Sequence, residues 1–154
     1  SDKTGIPTMY VGKYEVTQGE YLNIMGTNPS YFAGLLNNPV ENITWFNAID
    51  YCNALSIKEG LKPYYKSGMS QESNIRGGAE TYVLGGNGYR LPTYEERCYI
   101  AEDCGRHATY YPGSENCNEV AWSRENSGKT THEVGTKKPN APKTKIINAA
   151  RTPR

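Results

Sequence analysis

At 154 residues the chain has room for one domain of ordinary size around one hydrophobic core, and two domains are not expected. A formal charge of +1 supplies no whole-molecule field for nucleic acid or an anionic membrane, and no apolar run approaches the roughly 20 residues of a membrane-spanning helix. The 13 tyrosines far outnumber the 2 phenylalanines and 2 tryptophans, and 16 glycines with 9 prolines mark a loop-rich chain. Such rings serve either as a binding surface or as half-buried core with a hydrogen-bonding tip.

Residues 1–8 are polar, are broken by Gly5 and Pro7, and read as an arm. Residues 9–16 alternate Tyr10, Gly12, Tyr14 and Val16 against Val11, Lys13 and Glu15, the period of a strand. Thr17 followed by Glu20 predicts a capping box and a short helix that stops at Gly26. Asn28 and Pro29 forbid continuation, and residues 28–41, with Tyr31 and Phe32, read as an ordered loop. A second helix is expected after the cap Thr44, with Trp45, Ala48, Ile49, Cys52 and Leu55 as its apolar stripe and Gly60 as its stop. Asp50, Asn53, Lys58 and Glu59 fall mostly off that stripe. Residues 61–65 then read as a short strand or extended edge, and 66–86 as a polar hairpin whose strand-like patch is 81–84.

The densest run is 87–96. Gly88 permits a positive φ, Pro92 forbids helix, and Thr93 with Glu96 makes another capping box, so the segment reads as turn, extended piece and capped helix. Tyr89 and Leu91 are expected on one face and Arg90 on the other. Arg90 is a candidate ligand contact or, alternatively, a structural guanidinium paired with a carboxylate such as Glu96. The third helix carries Tyr94, Cys98, Tyr99 and Ala101 and is expected to end near Gly105. Residues 106–125 return to turns with one anchored aromatic, Trp122, and a strand is expected at 133–135. From Lys137 on there are basic residues and no acids; without interleaved aromatics for base stacking, 142–154 reads as a basic, disordered tail and no nucleic-acid partner is expected.

Cys52, Cys98, Cys104 and Cys117 have spacings of 46, 6 and 13, which match no zinc pattern. Cys98 and Cys104 on one continuous helix would be separated by about 9 Å of rise, beyond disulfide reach unless the helix ends between them. Cys52 reads as a small core residue, with no histidine nearby in sequence; the chain has only His107 and His132. An even cysteine count suits export with two bridges as well as buried thiols; no signal peptide is present, but the start at Ser1 would hide a processed one, and an exported or cell-surface setting is the expectation.

Together, several of these stretches resemble one family. Tyr14 to Gln18 with Tyr21, Asn38 to Val40 before the Thr44–Trp45 helix with Ala48, Tyr51 and Cys52, and Gly88 to Thr93 with Glu96 and Tyr99 follow its order. So do Glu119 to Trp122, Asn126, Ser127, His132, Val134, Gly135 and Lys138 to Asn140. Over 9–141 the chain is similar to the formylglycine-generating enzyme, or sulfatase-modifying factor, domain. The resemblance implies an irregular, loop-rich α+β domain of C-type-lectin-like fold, with about three short helices and small antiparallel strands. Beyond Ala141 the family's tryptophan-rich segment and its Arg-Gly-Gly strand have no counterpart here, so the domain reads as incomplete at its C-terminus. Arg97, Cys98 and Cys104 also stand where relatives have tryptophan, glutamate and glycine.

The copper-binding cysteines of the family's oxidases lie in that later part and are not matched by the four thiols here, and its calcium ligands lie there or at positions not kept. The resemblance therefore implies no catalytic residue and no metal or cofactor, copper or calcium entering only with the missing part. The expected function is a non-catalytic binding or structural module for a protein or glycan ligand, with Arg90, Tyr89 and Trp122 as candidate ligand or structural residues and Thr17, Thr44 and Thr93 as helix caps. Two alternatives stand beside it: a copper-dependent oxidase of peptidyl cysteine in sulfatases, and a retroelement-diversified display protein. An incomplete sheet would leave an edge open to self-association.

Overall fold

The computed structural model describes residues 9–66, 83–101 and 109–139. Among the described residues four helices occur in order: α1 (Gln18–Met25), α2 (Trp45–Lys58), α3 (Tyr94–Ala101) and α4 (Cys117–Val120). Extended segments and turns make up the rest of the described chain.

One local device starts the first three helices. Thr17 accepts from the Glu20 amide at 3.2 Å, and Glu20 accepts from the Thr17 amide at 2.8 Å. Thr44 and Asn47 exchange the same bonds at 3.2 and 2.8 Å. Thr93 and Glu96 do so ahead of α3, again at 3.2 and 2.8 Å. Each pair satisfies two backbone donors that the helix itself cannot. Gly26 ends α1 at φ 73°, and Gly60, one residue past the cap Glu59, ends α2 at φ 71°.

The core sits where α2 meets the extended segments on either side of residues 67–82. Ile49, Cys52, Leu61, Tyr65 and Tyr89 form it, with Phe46, Leu55, Tyr64 and Leu91 packed around them. Ile49 and Cys52 therefore carry the predicted stripe, whereas Trp45 at its start is 38% exposed. Asn53, expected off the stripe, is buried. Its amide donates to the Tyr65 carbonyl at 2.9 Å and accepts from the Tyr65 amide at 3.1 Å, standing in for a neighbouring strand. Tyr21 and Tyr51 stack at 5.4 Å and 11°, joining α1 to α2.

The 28–41 loop is ordered by Gln18, which is fully buried. Gln18 donates to the Phe32 carbonyl at 3.0 Å and accepts from the Asn28 amide at 2.9 Å. Glu41 accepts from the Phe32 amide at 2.8 Å, and Asn38 reaches across to the Thr131 hydroxyl at 2.9 Å. A loop this polar stays folded because its buried amides are paired.

Isolated antiparallel bridges join Thr17 with Pro39, Tyr65 with Val83 and Tyr111 with Ser114, and Tyr10 and Arg90 are bridge residues as well. The strand expected at 9–16 is not continuous: Tyr10 is a bridge residue, the chain bends at Lys13 and Tyr14, and pairing resumes at Thr17, where the Val40 amide donates to the Val16 carbonyl at 2.9 Å. At 133–135 the expected strand is a turn, because Gly135 takes φ 73° and the Val134 amide donates to the Asn37 carbonyl at 3.1 Å. The 66–86 hairpin is described only at its ends, which pair through Tyr65 and Val83 and through the Leu84 amide on the Tyr64 carbonyl at 2.7 Å. Residues 1–8, the end of the third helix, Cys104, His107 and the 142–154 tail lie outside the described residues. Helix α4 interrupts the turns expected over 106–125; Asn116 caps it, accepting from the Asn118 amide at 3.0 Å.

Candidate functional site

The 87–96 run sits against α2 because two glycines let it. A Cβ at Gly86 would overlap the Pro63 and Lys62 carbonyls, and one at Gly88 would overlap the Ser56 hydroxyl and the Lys62 carbonyl. Gly88 does not take a positive φ; it is required for close approach, and its amide donates to the Lys62 carbonyl at 2.9 Å. Ser56, fully buried, donates to the Cys52 carbonyl at 2.7 Å and accepts from the Tyr89 amide at 2.8 Å.

From that anchor the side chains alternate. Tyr89 and Leu91 both join the α2 core, and the Leu91 amide donates to the Tyr65 hydroxyl at 2.9 Å. Arg90 forms a bidentate pair with Glu96. Both residues are buried, and the Tyr64 ring lies 5.6 Å from the guanidinium carbon. The shared hydrogen bonds hold the Glu96 carboxyl below the usual carboxylate range and raise the guanidinium further.

Tyr89 is itself 3% exposed. Its hydroxyl donates to Glu59 at 2.6 Å on the wall of a groove of about 470 Å³ between α1 and α2. Tyr51 and Tyr89 line it together with Ile24 and Leu55, and Glu20, Glu59, Lys58 and Asn23 stand around it. Burial, then the Glu20 carboxylate, then smaller influences including Glu59, push the Tyr51 phenol well above its ordinary value. The groove was not legible in sequence, since Glu20 reads as a cap residue and Tyr51, Lys58 and Glu59 as one helix face; only their meeting with Tyr89 makes a site.

Trp122 lies elsewhere, just after α4. His132 stacks on its indole at 3.7 Å and 20°, while the Lys137 ammonium sits 3.8 Å from the ring centre. Two groups that close cannot share a face, so the indole is clamped between them, and its N–H donates to the Thr136 hydroxyl at 3.1 Å. His132 is held in turn at 2.8 Å from the Ser127 carbonyl. Trp122 is 42% exposed and presents an edge rather than an open ring face. Tyr89 and Arg90 thus share one segment with opposite outlooks, and Trp122 belongs to a second cluster.

Cys52 is buried in the core, and burial pushes its thiol up to about 12, which does not fit the ionised, accessible thiol that copper ligation requires. Cys98 and Cys117 are partly exposed, and none of these three is in a disulfide. Among the described residues no group of three or more His, Cys, Asp or Glu side chains is placed to hold a metal ion. No helix among them is long and apolar enough to cross a membrane.

Few helices, hydrogen-bonded loops and a small aromatic core are the marks of the C-type-lectin-like fold of formylglycine-generating proteins, and known structures agree. The chain superposes on Treponema denticola variable protein 1 with a TM-score of 0.72 and 33% identity, covering 86% of this chain and 56% of that one. The crystal structure of CarF matches with a TM-score of 0.60 and 25% identity, over 83% of this chain and 60% of that one. A chaperone protein, LppX of Paenibacillus barcinonensis, is 45% identical over 138 residues, 83% of this chain and 49% of that protein. The model of the sulfatase-modifying factor enzyme 1-like domain matches residues 1–149, and the chain belongs to that family. It spans about half the length of the curated relative it matches.

Proposed function

We propose that the chain acts as a non-catalytic binding or structural module, its ligand a protein or a glycan. The observation that carries this is the groove at Tyr51 and Tyr89, a concave surface of the size of small-ligand sites, roughly 300–1,000 Å³, built on helices rather than on loose loops. Two reactive or charged groups are engaged otherwise: Arg90 is paired with Glu96 and Cys52 lies in the core. Similarity to a protein named as a chaperone suits a polypeptide partner. An exported or cell-surface setting is part of the same proposal. Self-association through an open sheet edge is part of the same proposal.

A second reading, a diversified ligand-display protein, is favoured by the likeness to a protein named as variable. Exposed Tyr31, Tyr94 and Tyr110 are the display positions it would use. Peptide and glycan arrays probed with the purified chain test both. Saturable binding that is lost in Tyr51→Ala supports the groove; binding lost only when the three exposed tyrosines are replaced supports display. Incubation with copper and a cysteine-containing sulfatase peptide should leave the peptide mass unchanged, and the mass loss of aldehyde formation would overturn the non-catalytic reading.

A further inference from the structure

We infer that Asn87 is a modification site, a side-chain amide that the folded chain keeps unreacted and that converts to isoaspartate when the 87–91 segment leaves α2. Asparagine followed by glycine is the pair most prone to this chemistry, because no Cβ hinders the approach of the following nitrogen to the side-chain carbonyl. The Gly88 nitrogen loses its proton and attacks Cγ of Asn87. A new C–N bond forms, the bond from Cγ to Nδ2 breaks, and Nδ2 leaves as ammonia. Water then opens the cyclic imide, giving aspartate by attack at one carbonyl and isoaspartate at the other. The sum is amide plus water to acid plus ammonia, with nothing oxidised or reduced.

One residue, Lys62, holds both reacting groups. Its carbonyl accepts from the Gly88 amide at 2.9 Å, and its own amide donates to Asn87 Oδ1 at 2.9 Å. The second bond polarises the side-chain carbonyl and by itself would favour attack. The first bond outweighs it, because the attacking nitrogen must first give up the proton that it shares with Lys62, and Gly88 is buried although Asn87 is exposed. As in amide hydrogen exchange, that proton leaves only after the segment opens.

The product does not fit back. A Cβ at Gly88 would already overlap the Ser56 hydroxyl and the Lys62 carbonyl. Isoaspartate routes the main chain through the side-chain carbon and lengthens it by one atom, so the Gly88 bond to Lys62 and the Tyr89 bond to Ser56 lose their common register. Tyr89 belongs to the core and lines the α1–α2 groove, so reaction at Asn87 disturbs both, whatever the groove binds.

The test incubates the purified chain at pH 8 in buffer and in unfolding guanidinium chloride, then maps isoaspartate at Asn87 by peptide mass spectrometry. Conversion is expected to be at least about tenfold faster in denaturant, since opening a core segment costs more than the free energy of one decade. Asn87→Gln, whose longer side chain closes a larger ring less readily, should abolish the signal, and its persistence would overturn the site. After removal of denaturant, the isoaspartate-bearing chain should unfold at a lower denaturant midpoint than the unreacted chain. Asn87→Asp keeps the ordinary backbone and an acceptor for Lys62 and should stay close to the parent midpoint. Equal conversion in buffer and in denaturant would overturn the protection by Lys62, and an isoaspartate-bearing chain with the parent midpoint would overturn the claim that the product does not fit.

Discussion

Arg90 and Glu96 face each other across a turn of five intervening residues, with Nη1 2.7 Å from Oε2 and Nη2 2.6 Å from Oε1, and the same Oε2 accepts the Thr93 amide at 2.8 Å. One carboxylate therefore caps α3 and neutralises the guanidinium of the strand-like piece before it. The turn at Pro92 is closed by charge as well as by backbone.

Breaking this pair by Arg90→Ala leaves a buried carboxylate without its partner and should cost about 3 kcal/mol. Arg90→Lys should recover only part, because a single ammonium cannot make the two parallel bonds. Urea unfolding checks both through the shift in midpoint at constant slope.

Acid should weaken the fold through Glu96. Its folded-state pKa is depressed below the ordinary 4.5, chiefly by the hydrogen bonds from Arg90, so its stabilisation is present above that value and is lost as pH falls through the folded-state pKa. Asp50 works in the opposite sense: burial raises its pKa, and protonation there relieves a cost of folding. Thermal melts from pH 6 to pH 3 should show a fall in Tm below about pH 4.5 that is smaller in Glu96→Gln, whose starting stability is already reduced.

Gly88→Ala should destabilise by about 1–3 kcal/mol, since the new methyl overlaps the Ser56 hydroxyl and the Lys62 carbonyl. Asn53→Ala should cost about 2 kcal/mol by leaving the Tyr65 amide and carbonyl unpaired in the core. Chemical denaturation of the two variants checks both figures, and their sum in the double variant reports whether the α2 anchors act independently.

The thiols should separate by reactivity. Cys52, buried with its thiol pushed up to about 12, should resist iodoacetamide at pH 8 in the folded protein and react once urea is added. Cys98 and Cys117, partly exposed, should react first. Peptide mapping after timed alkylation reads the order directly.

What could be read in advance is what a few consecutive residues decide. Thr17 with Glu20 and Thr93 with Glu96 are capping boxes complete within four positions, and the burial of Ile49 and Cys52 follows from helical period. Arg90 opposite Tyr89 and Leu91 follows from the period of two. Features set by distant partners were not legible. Asn53 is polar and off the stripe, yet it is buried because Tyr65 needs a hydrogen-bonding neighbour there. Residues 9–16 have strand alternation, yet the chain bends at Lys13 and Tyr14 and pairs at Tyr10 and Thr17 on either side of the bend. Gly88 invites a dihedral explanation, and its true constraint is the Ser56 hydroxyl 32 residues earlier. Helix α4 is four residues long, and the only local sign of it is Asn116 as a cap. The family resemblance came from motif order, whereas the groove emerges only when α1, α2 and Tyr89 are placed together.

Amide chemical-shift mapping during titration with a peptide or glycan selected on the arrays tests the central claim, that this chain is a binding module whose contact surface is the α1–α2 groove. Shifts concentrated at Asn23, Ile24, Leu55, Lys58, Glu59 and Tyr89, with Arg90 and Trp122 unmoved, are the predicted result. Shifts centred on the Trp122 and His132 cluster, or no saturable shift at the groove, would contradict it.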